Sequence, residues 1–256
     1  VIELEDVFYS YGDRPALRGI SLNVREGEYI ALVGLNASGK STLAMMMDAL
    51  LLPDNGNCTI DGINTRDDPL FARRSVAMVF QNPEDQAVAR KVWDDVAFGP
   101  RNLGLPADAV ERRVKNALIA VGLERHAAKS SSALSGGQKQ LVALAGALAM
   151  EPSYIVLDEP TSMLDGTGAK AVRDAIVSLK LSGVGIIWIT HDMEEAMAAD
   201  RIVVLREGEV LASGPPDELF CDKGLMASAG IEAPYTWRLS KKLQELEANF
   251  HGARGE

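Results

Sequence analysis

Three short stretches carry residue types that could act on a phosphorylated ligand. Gly34-Leu35-Asn36-Ala37-Ser38-Gly39-Lys40-Ser41-Thr42 fits the pattern G-x-x-x-x-G-K-[ST]. There the glycines free backbone N–H groups to cradle phosphate oxygens, and a following helix adds the positive end of its dipole. Lys40 would reach the terminal phosphates, and the Ser41 hydroxyl would ligate Mg²⁺. Ile155-Val156-Leu157-Asp158-Glu159 is an apolar run ending in two acids. That order puts Asp158 against the metal and leaves Glu159 as a general base for an attacking water, a role worth about 10²- to 10⁴-fold in rate. Leu134-Ser135-Gly136-Gly137-Gln138 precedes the helix-forming run 139–150, so Ser135, Gly136, Gly137 and Gln138 make a second helix N-terminus suited to an anion.

These groups need elements to hold them, and the hydrophobic pattern supplies those elements. Tyr29-Ile30-Ala31-Leu32-Val33 reads as a buried strand entering the glycine loop, and a helix is expected over 41–52, stopped by Pro53. Further buried strands are expected at 76–80, 154–157, 185–189 and 202–205, separated by helical segments. The sum is an α/β fold with a mostly parallel sheet between helices. Apolar and polar residues alternate over 2–9 and 16–24 around Tyr11-Gly12-Asp13-Arg14-Pro15, which predicts an antiparallel hairpin at the start. A helical insert occupies about 82–150, with Val110, Val114, Leu118 and Val121 on one helix face and Ser130-Ser131-Ser132 as a flexible approach to its last helix. Residues 1–216 then form one domain, and 217–256 a short helical extension marked by Leu239, Leu243 and Leu246.

Composition narrows the function classes. The 256 residues are 47% hydrophobic and 24% charged, which suits a globular chain. With 26 Lys and Arg against 36 Asp and Glu, the net charge of −10 argues against a nucleic-acid partner. The longest nearly apolar run, 141–150, is half the roughly 20 residues that a membrane-crossing helix needs. The acidic start Val1-Ile2-Glu3-Leu4-Glu5-Asp6 does not resemble a secretory leader, and Cys58 and Cys221 read as reduced thiols. Two phosphate-binding edges in one chain do not easily serve one nucleotide, whereas a head-to-tail pair lets each chain complete the other's site.

In this order and context the motifs resemble those of the ATP-binding-cassette (ABC) ATPases, and the resemblance covers residues 1–214. It implies ATP and Mg²⁺ as ligands. It also implies that Gln81 senses the metal and the attacking water, and that Asp165 in Ser162-Met163-Leu164-Asp165 belongs to a loop reaching across the dimer. His191 in Thr190-His191-Asp192 would be the switch at the terminal phosphate. Tyr11 would stack on adenine, with Tyr9 or Phe8 as alternative platforms. Ala37 departs from the glycine frequent at its position, Leu141 from an arginine and Gly166 from a proline.

Narrower strings, Phe80-Gln81-Asn82-Pro83-Glu84-Asp85-Gln86 and Asp94-Asp95-Val96-Ala97-Phe98-Gly99-Pro100 among them, are similar to the ATPases of energy-coupling-factor (ECF) transporters. That resemblance implies uptake of a vitamin or transition-metal ion and a second ATPase subunit, the same or different. It implies a transmembrane coupling protein docked near residues 82–98, and a separate substrate-binding membrane subunit. The chain would sit peripherally on the cytoplasmic face of the membrane, its extension contributing to dimerisation. Glu84, Asp85, Asp94 and Asp95 are candidates for contacts to basic coupling helices. The alternative is the ATPase of a conventional ABC importer.

Overall fold

The computed structural model describes residues 1–252; the last four residues of the expected extension lie outside them. β1 (Ile2–Tyr11) and β2 (Arg14–Val24) form the hairpin, with Tyr11 opposite Arg14, so the turn is tighter than the pattern suggested. β3 (Tyr29–Val33) enters the glycine loop, which leads into α1 (Lys40–Met47). β4 (Asn55–Ile60) returns beside β1, β5 (Ile63–Asn64) pairs with β4, and α2 (Pro69–Ser75) leads to β6 (Val76–Val79). The insert holds α3 (Val92–Val96), α4 (Phe98–Asn102), α5 (Ala107–Ala120) and α6 (Gly136–Ala149). Next come β7 (Tyr154–Asp158), α7 (Gly166–Lys180), β8 (Gly185–Ile189) and α8 (Met193–Ala196). The hairpin β9 (Arg201–Arg206) and β10 (Glu209–Gly214) precedes α9 (Pro216–Cys221), α10 (Lys223–Ala229) and α11 (Tyr235–Gly252).

The larger sheet runs β10-β9-β3-β8-β7-β6, parallel except for β9 with β10, and the smaller antiparallel sheet runs β2-β1-β4-β5. Alternation along β3 divides the core. Tyr29, Ala31 and Val33 pack with the helices of the insert, whereas Ile30 and Leu32 pack with α1 and the small sheet. Leu32 is level with Ile189, and Ile189 with Asp158. Three strands therefore end in one row, and the glycine loop, Glu159 and His191 emerge from that row side by side. Ligands of open α/β sheets bind at this carboxyl edge.

Several expectations need correction. α1 ends at Met47 rather than continuing to Leu52, because Ala49 turns into the left-handed region (φ 57°) and the Leu51 N–H folds back to the Met45 carbonyl at 2.8 Å. β4, β5 and β10 had no recognisable signal: β4 reads Asn-Gly-Asn-Cys-Thr-Ile, too polar for a buried strand, and it forms because β1 offers an edge. The serine run is not loose. Ser131 N–H donates to the Arg90 carbonyl at 2.8 Å, and Ser130 bridges to Lys91. In the extension, Leu219, Phe220, Met226 and Ala229 join the main core, whereas Leu239, Leu243 and Leu246 on α11 are exposed. Both cysteines are free, and no helix among the described residues is long and apolar enough to cross a membrane.

Candidate nucleotide site

The glycine loop is shaped by its contacts with β9 and β2. Gly34 has φ 148°, and a Cβ there would lie 2.1 Å from the Leu205 carbonyl oxygen, so only glycine fits. Ala37 is left-handed (φ 60°), a conformation glycine adopts without strain. Lys40 is buried, and its Nζ donates to the carbonyls of Gly34 and Leu35, each at 2.9 Å, which bends it over the loop. Burial lowers its pKa against the opposing charges of Glu159 and Asp158. The Ser38 hydroxyl is buried without a partner, while Asn36 on the loop and Ser41 at the start of α1 are exposed. Tyr11 places its hydroxyl 3.4 Å from Thr42 Oγ1, packs edge-on against Tyr9 and keeps about half its surface exposed. Phe8 is also exposed, but its ring packs over Gly19.

The Asp158 carboxyl has a raised pKa: burial and the Glu159 charge push it up against the opposing pull of the neighbouring Ser41 hydroxyl and the Lys40 charge. A hydroxyl, a carboxylate and the nearby Gln81 amide are hard oxygen donors, few in number, as Mg²⁺ takes when phosphates and water complete its shell. Glu159 has φ 47°, a strained setting for a carboxylate residue. Its Oε1 lies 2.5 Å from His191 Nε2, and its Oε2 accepts from Gln81 Nε2 at 3.2 Å. Gln81 also donates to Ser162 Oγ at 3.0 Å. One carboxylate is thus aimed by residues following β6 and β8, with its own strand between them.

Ser135, Gly136, Gly137 and Gln138 lie elsewhere. Ser135 Oγ accepts from Gln138 N–H at 3.3 Å, and Gln138 Oε1 accepts from Ser135 N–H at 3.1 Å, a capping box that fixes the start of α6. They share a cavity with Met163, Leu164 and Asp165, and none of its lining residues belongs to the glycine loop. Asp165 caps α7 through Gly168 N–H at 2.7 Å. α6 is tied to the Gln81 loop by residues that sequence reasoning missed: Gln140 Nε2 donates to the Phe80 carbonyl at 3.1 Å, and Lys139 pairs with Glu84 at 2.5 Å. An amide on the buried face of α6 was the available signal for Gln140.

The expected acidic groove is mainly apolar. Leu50, Met78, Phe80, Val88, Phe98 and Met150 line a cavity of about 500 Å³, and of the four expected acids Asp85 and Asp95 also lie in its wall. Each of the four acids already has a partner within the chain. Glu84 pairs with Lys139, Asp85 accepts from Asn82 and Asp94 from Arg101, while Asp95 accepts the Val88 and Ala89 N–H groups.

The sequence model of the family described as ABC transporter matches residues 17–162. The energy-coupling factor transporter ATP-binding protein EcfA1 of Symbiobacterium thermophilum is 46% identical over 255 residues, 95% of this chain and 89% of that protein. The cobalt import ATP-binding protein CbiO of Syntrophus aciditrophicus is 43% identical over 250 residues, 96% of this chain and 89% of that protein. Among solved structures, CbiO1 from Clostridium perfringens, described as part of the ABC transporter complex cbiONQ, matches with a TM-score of 0.81 at 36% identity. That match covers 94% of this chain and 98% of the other.

Proposed function

Since the chain belongs to the ABC transporter ATP-binding family and is an ATPase that powers transport, we propose that it is the ATP-hydrolysing subunit of an ECF-type micronutrient importer. The observation that carries the reading is the Glu159 carboxylate held between His191 and Gln81 beside the glycine loop. Backbone N–H groups of residues 34–42 and Lys40 bind the β and γ phosphates, and Tyr11 supports the adenine. Ser41, Asp158 and Gln81 hold Mg²⁺, which when bound neutralises phosphate charge. Glu159 takes the proton of the attacking water, while His191 fixes the orientation of that carboxylate and faces the γ phosphate.

The Ser135–Gln138 edge lines its own cavity, which supports a head-to-tail dimer in which this edge and Asp165 meet the partner's nucleotide. Closure around two ATP draws two membrane coupling helices together, and hydrolysis releases them. Each helix docks over Val88 and Phe98, and apolar contact outweighs charge there. Residues 1–216 act as the ATPase unit and the exposed leucines of α11 add to the dimer. The pair sits peripherally on the cytoplasmic membrane face, and a separate membrane subunit selects the cargo; relatives named for energy coupling and cobalt import support this class. Glu159→Gln should lower turnover by about 10²- to 10⁴-fold and trap an ATP-bound dimer on size exclusion. Native turnover in that variant would remove Glu159 from the base role.

A further inference from the structure

Glu195 lies on α8 between the buried residues Met193 and Ala196 and is itself only 5% exposed. Its Oε1 accepts from Thr161 Oγ1 at 2.8 Å and from Arg173 Nη1 at 3.3 Å. Its Oε2 accepts from Thr190 Oγ1 at 2.6 Å. The Thr190 oxygen in turn accepts the Asp192 N–H at 3.0 Å, which commits the hydroxyl proton to Glu195. A buried carboxylate persists when donors satisfy it. Here the donors come from three separate segments: the loop after Glu159, the helix α7, and the residue preceding His191.

The backbone explains why such a tie is needed. Pairing of β7 with β8 ends at Asp158 opposite Ile189, followed by one bond from Glu159 N–H to the Ile189 carbonyl at 3.0 Å. Pro160 has no N–H to continue the ladder. Beyond that row, the loops bearing Glu159 and His191 are joined through the two oxygens of Glu195, one to each loop.

We propose that Glu195 is a positioning residue that sets the separation of the Glu159 and His191 loops, and so the aim of the Glu159 carboxylate at water. The inference rests on Glu159 acting as the base. Arg173 alone would supply a counter-charge; the division of the two oxygens between two threonines is what a positioning role requires and mere neutralisation does not.

The test uses the full chain and isosteric changes. Thr161→Val with Thr190→Val keeps side-chain shape and removes both hydroxyls. We expect kcat to fall about tenfold or more, as small misplacements of reacting groups do. KM for ATP should stay within about threefold of native, since phosphate contacts are untouched. Thr161→Ser with Thr190→Ser should restore kcat to within about threefold, because the hydroxyls return. On a Glu159→Gln background the valine pair should still trap the ATP-bound dimer. If the valine pair melts below the assay temperature, each single valine variant should still lower kcat by about threefold or more. Native kcat in the folded valine variants, or a raised KM with kcat unchanged, overturns the proposal. Native turnover in Glu159→Gln instead overturns the base assignment, so the two failures are distinct.

Discussion

Replacing Gly136 and Gly137 by alanine, one at a time, asks whether the start of α6 is a packing element, a binding surface or both. Gly137 is buried where α6 meets α7, and a Cβ there would sit 2.7 Å from Gly168 Cα. Gly136 is exposed, and its Cβ would meet only Leu164 Cδ2, at 3.5 Å, an ordinary contact. Forcing the two backbones apart is overpacking, at about 1–3 kcal/mol, offset by up to about 1 kcal/mol when alanine replaces glycine in a helix. Because the clash is with backbone that cannot swing aside, the upper part of that range applies, and Gly137→Ala should lose about 1–3 kcal/mol, which in a chain of this size lowers Tm by about 2–12 °C. Gly136→Ala should leave Tm level or raise it by up to about 4 °C. Its methyl would instead stand on the surface assigned to the partner's nucleotide and weaken ATP-dependent dimerisation in a folded chain. Thermal melting by circular dichroism, followed by size exclusion with ATP on a Glu159→Gln background, reads both effects. Indistinguishable Tm values for the two variants would refute the packing reasoning, and native dimerisation of Gly136→Ala would refute the surface assignment.

Other perturbations probe separate parts of the molecule. Ala37→Gly relieves a left-handed alanine worth about 1–2 kcal/mol against a gain in unfolded-chain entropy of about 0.4–1 kcal/mol, so Tm should hold level or rise by up to about 6 °C; a fall would contradict the observed φ. Burial alone would raise the Glu28 pKa, but hydrogen bonds from Arg201 and the Arg25 N–H, with their charges, hold it below the usual glutamate range. A depressed carboxylate stabilises above its unfolded value and loses that contribution as pH falls through its folded value. Native Tm should thus decline below about pH 4.3, and Glu28→Gln should start lower at neutral pH and decline less; parallel curves would exclude Glu28 as a source. Phe98→Asp should weaken capture of a membrane coupling protein while nucleotide affinity stays native, measured by pull-down and by titration with a fluorescent ATP analogue; intact capture would move the docking site elsewhere.

The strands that carry the site were the most legible part of the chain, because β3, β6, β7 and β8 are continuous apolar runs and each is followed by a residue with evident chemistry. β4 and β10 were illegible for the opposite reason: β4 is polar, β10 is at most half-buried along its length, and neighbouring edges recruit both. Ala49 shows a different limit. Nothing in its type announces a left-handed turn, so the apolar run through Leu52 looked like helix. Among site residues, Lys40, Asp158, Glu159 and His191 could be placed because a functional side chain ends a strand or opens a helix. Glu195 was missed because the donors that satisfy it come from three distant segments, and that juxtaposition exists only once the sheet has formed. The acidic groove was legible only in part: Asp85 and Asp95 do line the cavity, but a run of acids says nothing of partners in the same chain, and Asp95 accepts two backbone N–H groups.

Placing the glycine loop and the Ser135–Gln138 edge in different cavities gives the proposed pair an unusual genetics. Consider mixed dimers in which one copy carries a defect at Lys40 and a defect at Ser135. Under head-to-tail pairing each composite site then lacks one of its two halves, and neither works. If the Lys40 defect is carried by one copy and the Ser135 defect by its partner, both fall in the same composite site, and the other site is entirely native. Two lesions confined to a single polypeptide are thus more damaging than the same two shared between polypeptides, the reverse of ordinary complementation.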